Sequence, residues 1–203
     1  MGYDEKIFKA KANIKARRLW LVFAILLTAN YGTDTANGAY SVSNYIIFVI
    51  LCWLPFVCGD ILLKRKGKDN DHYRLAFVIG YGIFYVFLLC TTTSPIAFTY
   101  ILPIISLIVI FKDEKFMIYC AVANMLSLIA SIAFHIFVLG QNTAIDHKNF
   151  QLQIACLLLC YIGYIMSVRH LTESDAALTE SIKSDLNRVV YNRLSRLKPL
   201  ATL

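Results

Sequence analysis

The sequence predicts an all-α, polytopic integral membrane protein: six transmembrane helices, both termini cytoplasmic, and a C-terminal amphipathic helix outside the bilayer. Three observations predict it. Of 203 residues, 58% are hydrophobic and only 16% charged, with a mean hydropathy of +0.60, whereas a soluble domain carries about 25% charged residues. At about 20 apolar residues per crossing, that composition fills about six helices. Lys and Arg are also unevenly divided among the connections, as the elements show in turn.

The first apolar stretch, Ala16–Ala36, follows a basic N-terminal segment, residues 1–15, and six cations precede or enter it: Lys6, Lys9, Lys11, Lys15, Arg17 and Arg18. A cleaved signal peptide has similar parts, but Arg17-Arg18 lies deep in the chain, and cleavage would leave five spans with mismatched loop charges. The second stretch, Tyr40–Leu63, holds Pro55 and ends on Asp60, one turn before Lys64, a spacing that favours an i,i+4 pair. Cations return at Lys64, Arg65, Lys66, Lys68 and Arg74. The third stretch, Tyr73–Cys90, sets Tyr81 and Tyr85 on one face. It is joined to the fourth, Pro95–Phe111, by the hydroxyl-rich turn Thr91–Ser94.

Ser94 before Pro95 reads as an N-cap with proline at the first helical position. Pro103 then falls inside the fourth helix, where it removes the bond to the carbonyl of Thr99 and favours a kink. Pro55 is the second expected hinge. Lys112 and Lys115 flank the next connection, Phe116–Leu139 forms the fifth stretch, and Phe150–Val168 the sixth, sharing a face through Tyr161 and Tyr164. The loop between the last two has one cation, Lys148, and the tail after Val168 has six. Alternate connections therefore hold 19 of the 20 Lys and Arg residues. The positive-inside rule puts that side in the cytoplasm. The net charge of +7 is thereby accounted for as orientation, and a nucleic-acid partner is not expected. The six cysteines lie inside spans, with no CxxC pair, and are expected to pack rather than to hold metal.

Within this topology the polar side chains gather at the outer helix ends, which points to a cavity open to the outside. Asp34, Tyr45, Thr92, Ser94, Tyr100, His135 and Gln151 are the candidate ligand-binding residues. Each has a structural reading as well: Asp34 in headgroup water, His135 bonded to a carbonyl of a neighbouring helix, Asn124 as interhelical glue. No Walker loop, HExxH, GxSxG or paired intramembrane carboxylate occurs, so catalytic, metal and cofactor chemistry are not expected. Matched broken helices of the transporter kind are absent from the two halves as well. Residues 16–168 are read as the sensor domain and 169–203 as a cytoplasmic signalling helix. In that tail Leu178, Ile182, Leu186, Val189/Val190, Leu194 and Leu197 recur at steps of three to five residues. Such a stripe suits a parallel coiled coil in a homodimer, although strict heptads anchored at Ile182 and Val189 put Asp185 and Asn192 in the core. A helix lying on the membrane surface is the competing reading.

The stretch CTTTSPIAFTYILPIISLIVIFKDEKFM, residues 90–117, preceded by GYGIFYVFLL, resembles the six-helix N-terminal membrane module of methyl-accepting chemotaxis-type receptors of Firmicutes. The likeness lies in the hydroxyl-rich turn, Phe98-x-Tyr100, Pro103 and an acid such as Asp113 at the inner end; over residues 10–185 it is one of helix spacing. It implies a sensor in a bacterial cytoplasmic membrane that detects a small molecule or short peptide and passes the change to cytoplasmic signalling partners through a further C-terminal domain. Similar modules precede histidine kinase and diguanylate cyclase domains. The methylation and kinase-contact region of those receptors has no counterpart in these residues. A small transporter or channel is the expectation from another class, and an intramembrane enzyme built on Asp34 and His135 a third.

Overall fold

The computed structural model describes residues 3–92 and 94–197. Among them every regular element is helical: α1 (Tyr3–Ala36), α2 (Val42–Lys66), α3 (His72–Thr91), a fourth segment, α5 (Glu114–Phe137) and α6 (Ala144–Leu197). Helices α2, α3, α5 and α6 are long and apolar enough to cross a membrane. In α1 the unbroken apolar run is short, Leu19–Leu27, between Arg18 and Asn30.

Helix α3 is the centre of the bundle and packs against α2, α5 and the fourth segment. Its buried face is aromatic: Tyr73, Phe77, Tyr81, Phe84 and Tyr85 recur at steps of three and four, with Tyr85 beside Phe84. Trp20 of α1 meets Phe77 and Tyr81 edge-on, at centroid distances of 5.3 and 5.2 Å. Small residues allow α2 and α3 to approach. A Cβ added at Gly80 would lie 2.5 Å from Pro55 Cβ, and one at Gly59 would lie 2.8 Å from the Tyr73 ring. Pro55, expected as a hinge, thus seats its ring over Gly80 within an uninterrupted α2.

The fourth segment departs from expectation. A single helix from Pro95, capped by Ser94 and kinked at Pro103, is not what forms. After a turn in which the Ala97 amide donates to the Ser94 carbonyl, the chain is 3-10 over Ala97–Ile101, α-helical only over Leu102–Ile108 (α4), and 3-10 again over Val109–Phe111. Pro103 lies in the first turn of α4, a position it tolerates because that amide has no helical partner in any case. The Thr99 carbonyl, which proline cannot bond, accepts from the Leu102 amide instead. Carbonyls left by the irregular backbone are taken by side chains from other helices. Tyr85 donates to Phe98 O at 3.1 Å, Tyr81 donates to Tyr100 O, and Gln153 Nε2 donates to Pro95 O at 2.9 Å. The shared face of Tyr81 and Tyr85, legible in the sequence, therefore binds backbone as well as filling space.

Helix α6 runs unbroken for 54 residues, about 81 Å at 1.5 Å per residue. Phe150, Leu157, Tyr161 and Val168 bury its bundle face, whereas every residue from Arg169 to Tyr191 is exposed. Tyr161 and Tyr164 diverge to different partners: Tyr161 OH accepts from Asn124 on α5, and Tyr164 OH pairs with Ser106 Oγ on α4 at 2.8 Å.

Two outcomes are expected from this packing. Gly80→Ala forces a Cβ into Pro55 and should destabilise the bundle by about 1–3 kcal/mol, while Gly82→Ala, with nothing within 4 Å, should not; denaturant titration in detergent micelles compares them. Tyr85→Phe leaves the Phe98 carbonyl without its side-chain donor and should cost about 1–3 kcal/mol in the same assay.

Candidate functional site

One end of the bundle, here the polar end, carries the connections at 37–41, 92–96 and 138–143; the other, the basic end, carries those at 67–71 and 112–113. At the polar end a cavity of about 80 Å³ lies among α3, the 92–97 segment, α5 and α6. Thr92, Ser94, Ser131, His135, Gln141 and Gln153 line it, with Asp146 at its edge.

His135 is 7% exposed. Its Nε2 donates to the Leu89 carbonyl at 2.7 Å, and Gln141 Oε1 lies 2.9 Å from Nδ1. The carbonyl-bound role foreseen for this histidine is thus met in a ring that also faces the cavity. Leu89 stands in the last turn of α3, where carbonyls lack helical partners. Asp146 caps the start of α6, accepting from the Thr143 amide and hydroxyl at 2.9 and 2.7 Å.

A second cluster lies beside the first, between α1 and α2. Tyr31 is held between Tyr40 and Phe48, with ring centroids 4.3 and 4.1 Å away. Its hydroxyl is buried and makes no hydrogen bond of ordinary geometry among the described residues. Tyr45 lies over Gly32, where an added Cβ would come within 3.1 Å of its hydroxyl. Asn30 Nδ2 donates to Tyr100 OH at 3.3 Å. The Asp34 carboxylate, partly buried, makes no hydrogen bond or ion pair among the described residues. Thr92 Oγ1 and Tyr40 OH share a hydrogen bond of 2.7 Å and form the partition between the cluster and the cavity.

The seven residues singled out in the sequence are therefore not one pocket. Thr92, Ser94 and His135 share the cavity; Asp34, Tyr45 and Tyr100 belong to the aromatic cluster. Gln151 belongs to neither, because it is exposed. Gln153 takes its place, and the helical phase of Phe150, Leu157 and Tyr161 selects it, since it lies three residues from Phe150 on the buried side. Thr93, part of the expected hydroxyl turn, lies outside the described residues.

The basic end is a network of ion pairs. Asp60 holds Arg17 Nε at 2.6 Å and Lys64 at 2.9 Å, and Lys9 meets Asp71 at 2.8 Å. Buried Asn13 donates to the Lys68 and Asn70 carbonyls at 2.9 and 3.0 Å, which fastens the α2–α3 connection to α1. The corner at 112–114 joins three helices. Lys112, in the left-handed region at φ 50°, pairs with Asp175 of α6. Asp113 caps α5 at the Phe116 amide, 3.0 Å, and holds Arg74 of α3 at 2.7 Å. Glu114 holds Arg169 of α6 at 2.5 Å. Among these only the Asp60–Lys64 pair follows from spacing in the sequence. The others join residues far apart along the chain.

Among the described residues no group of three or more His, Cys, Asp or Glu is placed to hold a metal ion. No protein-family model, curated protein or solved structure matches the chain.

Burial pushes the Asp113 carboxyl up, but the Phe116 amide and the Arg74 guanidinium outweigh it and hold the group below the usual carboxylate range. Its stabilising contribution is therefore complete above the unfolded value of about 3.9 and is lost as pH falls through the lower folded value. Thermal unfolding in detergent should show Tm falling on acidification through that window. Asp113→Asn should be less stable at neutral pH and show a flatter acid limb.

Proposed function

We propose that the chain is the membrane-embedded sensory part of a bacterial signal-transduction receptor, chemoreceptor-like or placed ahead of a kinase or cyclase. It crosses the cytoplasmic membrane six times over residues 16–168, with 1–15 and 169–203 in the cytoplasm and the polar end outside. The observation that carries this reading is the course of α6. The helix that lines the polar cavity through Phe150 and Gln153 is the same one that leaves the basic end with an exposed apolar stripe. A change in how the cavity is filled thus has a continuous rod to act on. The six-span orientation is supported by the concentration of Lys and Arg at the basic end.

The ligand is a small molecule or a short peptide. Lys148, near the start of α6, is the one Lys or Arg at the polar end, against Asp34 of α1 and Asp146 of α6, so that end favours a neutral or cationic ligand over an anion. Thr92, Ser94 and His135 supply hydroxyl and imidazole contacts in the cavity, and Asp34, Tyr45 and Tyr100 bound the neighbouring cluster. Binding biases the bundle only to the extent that the ligand prefers one helix arrangement over another. The shift passes through the fourth segment, with Pro103 at its 3-10 to α junction, and along α6 to cytoplasmic partners.

The test joins residues 1–197 to the kinase-control domain of a chemoreceptor and screens neutral and cationic small molecules and short peptides in cells. An active compound is expected, and His135→Ala and Tyr100→Phe should each raise its half-maximal concentration about tenfold or more, the loss of about 1.4 kcal/mol, at unchanged membrane level. Kinase control itself requires a cytoplasmic C-terminus. A response unaltered in both variants overturns the site, and uptake of the active compound by vesicles carrying the native chain would favour a transporter.

A further inference from the structure

Beyond the proposed spans, the emergent part of α6 carries a bare apolar stripe. Leu178, Ile182 and Leu186 are each about 60% exposed and Val189 is 50% exposed, on a helix that runs unbroken to Leu197. From Arg169 to Leu197 it runs about 43 Å, its first turns held against the 112–114 corner through Arg169 and Asp175.

A strict seven-residue repeat does not describe this stripe. Over 171–197 its seam is Leu171, Asp175, Leu178, Ile182, Asp185, Val189, Asn192 and Arg196, of which four are apolar. An eleven-residue repeat selects Leu171, Asp175, Leu178, Ile182, Leu186, Val189, Arg193 and Leu197, of which six are apolar. It also moves Asp185 and Asn192 off the seam, by about 65° and 98° from its centre at 3.67 residues per turn. Asp175, polar in both repeats, is drawn to the bundle by Lys112, so the free seam begins at Leu178.

We propose that a second copy of this chain covers the stripe, in a parallel pair along the eleven-residue seam. Parallel orientation rests on the topology proposed above, because both helices then leave the same face of one membrane. Charge supports self-pairing. Apart from the residues paired with the bundle, the segment 169–197 holds Glu173, Glu180 and Asp185 against Lys183, Arg188, Arg193 and Arg196, a near balance that leaves little repulsion between two copies. In the eleven-residue register Lys183 flanks one side of the seam and Asp185 the other, so in a two-fold parallel pair each Lys183 stands beside Asp185 of the second copy. An eleven-residue seam winds with a slight right-handed twist, in contrast to the left-handed heptad coil.

The full chain in native membranes, carrying single cysteines at Ile182, Asp185, Leu186, Val189 or Asn192, is oxidised with copper phenanthroline and compared with the unsubstituted chain. Positions 182, 186 and 189 should form cross-linked dimer at about threefold or more the yield of 185 and 192. Lys183→Glu should lower the yield at 186 by about twofold or more, and adding Asp185→Lys should restore it. Strongest cross-linking at 185 and 192 would replace the proposed seam with a heptad coil. Yields at background everywhere would overturn the pairing, and quenching by brominated lipid of a fluorophore attached at 186 would then assign the stripe to the membrane surface. Neither result bears on the cavity, whose failure is read separately from the ligand response.

Discussion

Irregular backbone in an apolar setting has to find its hydrogen-bond partners inside the protein, and this requirement organises the bundle. Between Ser94 and Ile101 the chain is turn and 3-10 helix, which leaves carbonyls that a regular helix would satisfy. An unpaired carbonyl costs several kcal/mol in hydrocarbon, so such a segment persists only where protein surrounds it. Tyr81 and Tyr85 of α3 and Gln153 of α6 supply the donors. This explains why the buried face of the central helix is tyrosine-rich where leucine would fill space equally well. It also holds Ser94, Phe98 and Tyr100 in register with the cavity and the aromatic cluster. The same logic recurs at the end of α3, where a histidine ring rather than a further helical turn takes the Leu89 carbonyl.

How much of this is legible in the sequence depends on the range of the interaction. Helices α2, α3, α5 and α6 follow from long apolar runs, and Asp60–Lys64 and the shared face of Tyr81 and Tyr85 follow from helical spacing. Asn124, read as interhelical glue, is bonded to Tyr161. The fourth segment differs from its sequence reading because Ser94-Pro95 and Pro103 each have a standard helical meaning. Local propensity is silent about donors arriving from α3 and α6, and those donors are what permit the 3-10 backbone. Depth points to Gln151 and Gln153 alike, and the phase set by Phe150, Leu157 and Tyr161 selects Gln153. The corner at Lys112, Asp113 and Glu114 looks in sequence like a short basic connection. Its partners, Arg74, Arg169 and Asp175, lie 39 to 63 residues away, beyond any spacing rule.

That corner gives the basic end a mechanical character different from the polar end. At the polar end, α6 is joined to the fourth segment by a hydrogen bond between neutral groups, Gln153 and the Pro95 carbonyl, beside a cavity. At the basic end, two ion pairs from neighbouring residues, Lys112 and Glu114, grip α6 at Asp175 and Arg169. The same corner is tied to α3 through Asp113. Partly exposed ion pairs are individually weak, about 0–1 kcal/mol, so they fix the direction of the helix without locking it. A grip of this kind can be re-registered at low cost, which a continuous apolar interface cannot.

These magnitudes bound the proposed relay. Moving a two-state equilibrium from 1:99 to 99:1 takes about 5.5 kcal/mol of differential affinity. The best very small ligands yield about 1.5 kcal/mol per non-hydrogen atom in total binding, and differential binding is only a part of that. A cavity of about 80 Å³ admits few such atoms, so a ligand confined to it shifts the bundle by less than the full range. A complete switch requires a ligand that also reaches the aromatic cluster across the Thr92–Tyr40 hydrogen bond, or an apo state already near balance. The first route places Thr92 at the decisive position, because it lines the cavity and its hydroxyl is bonded to Tyr40.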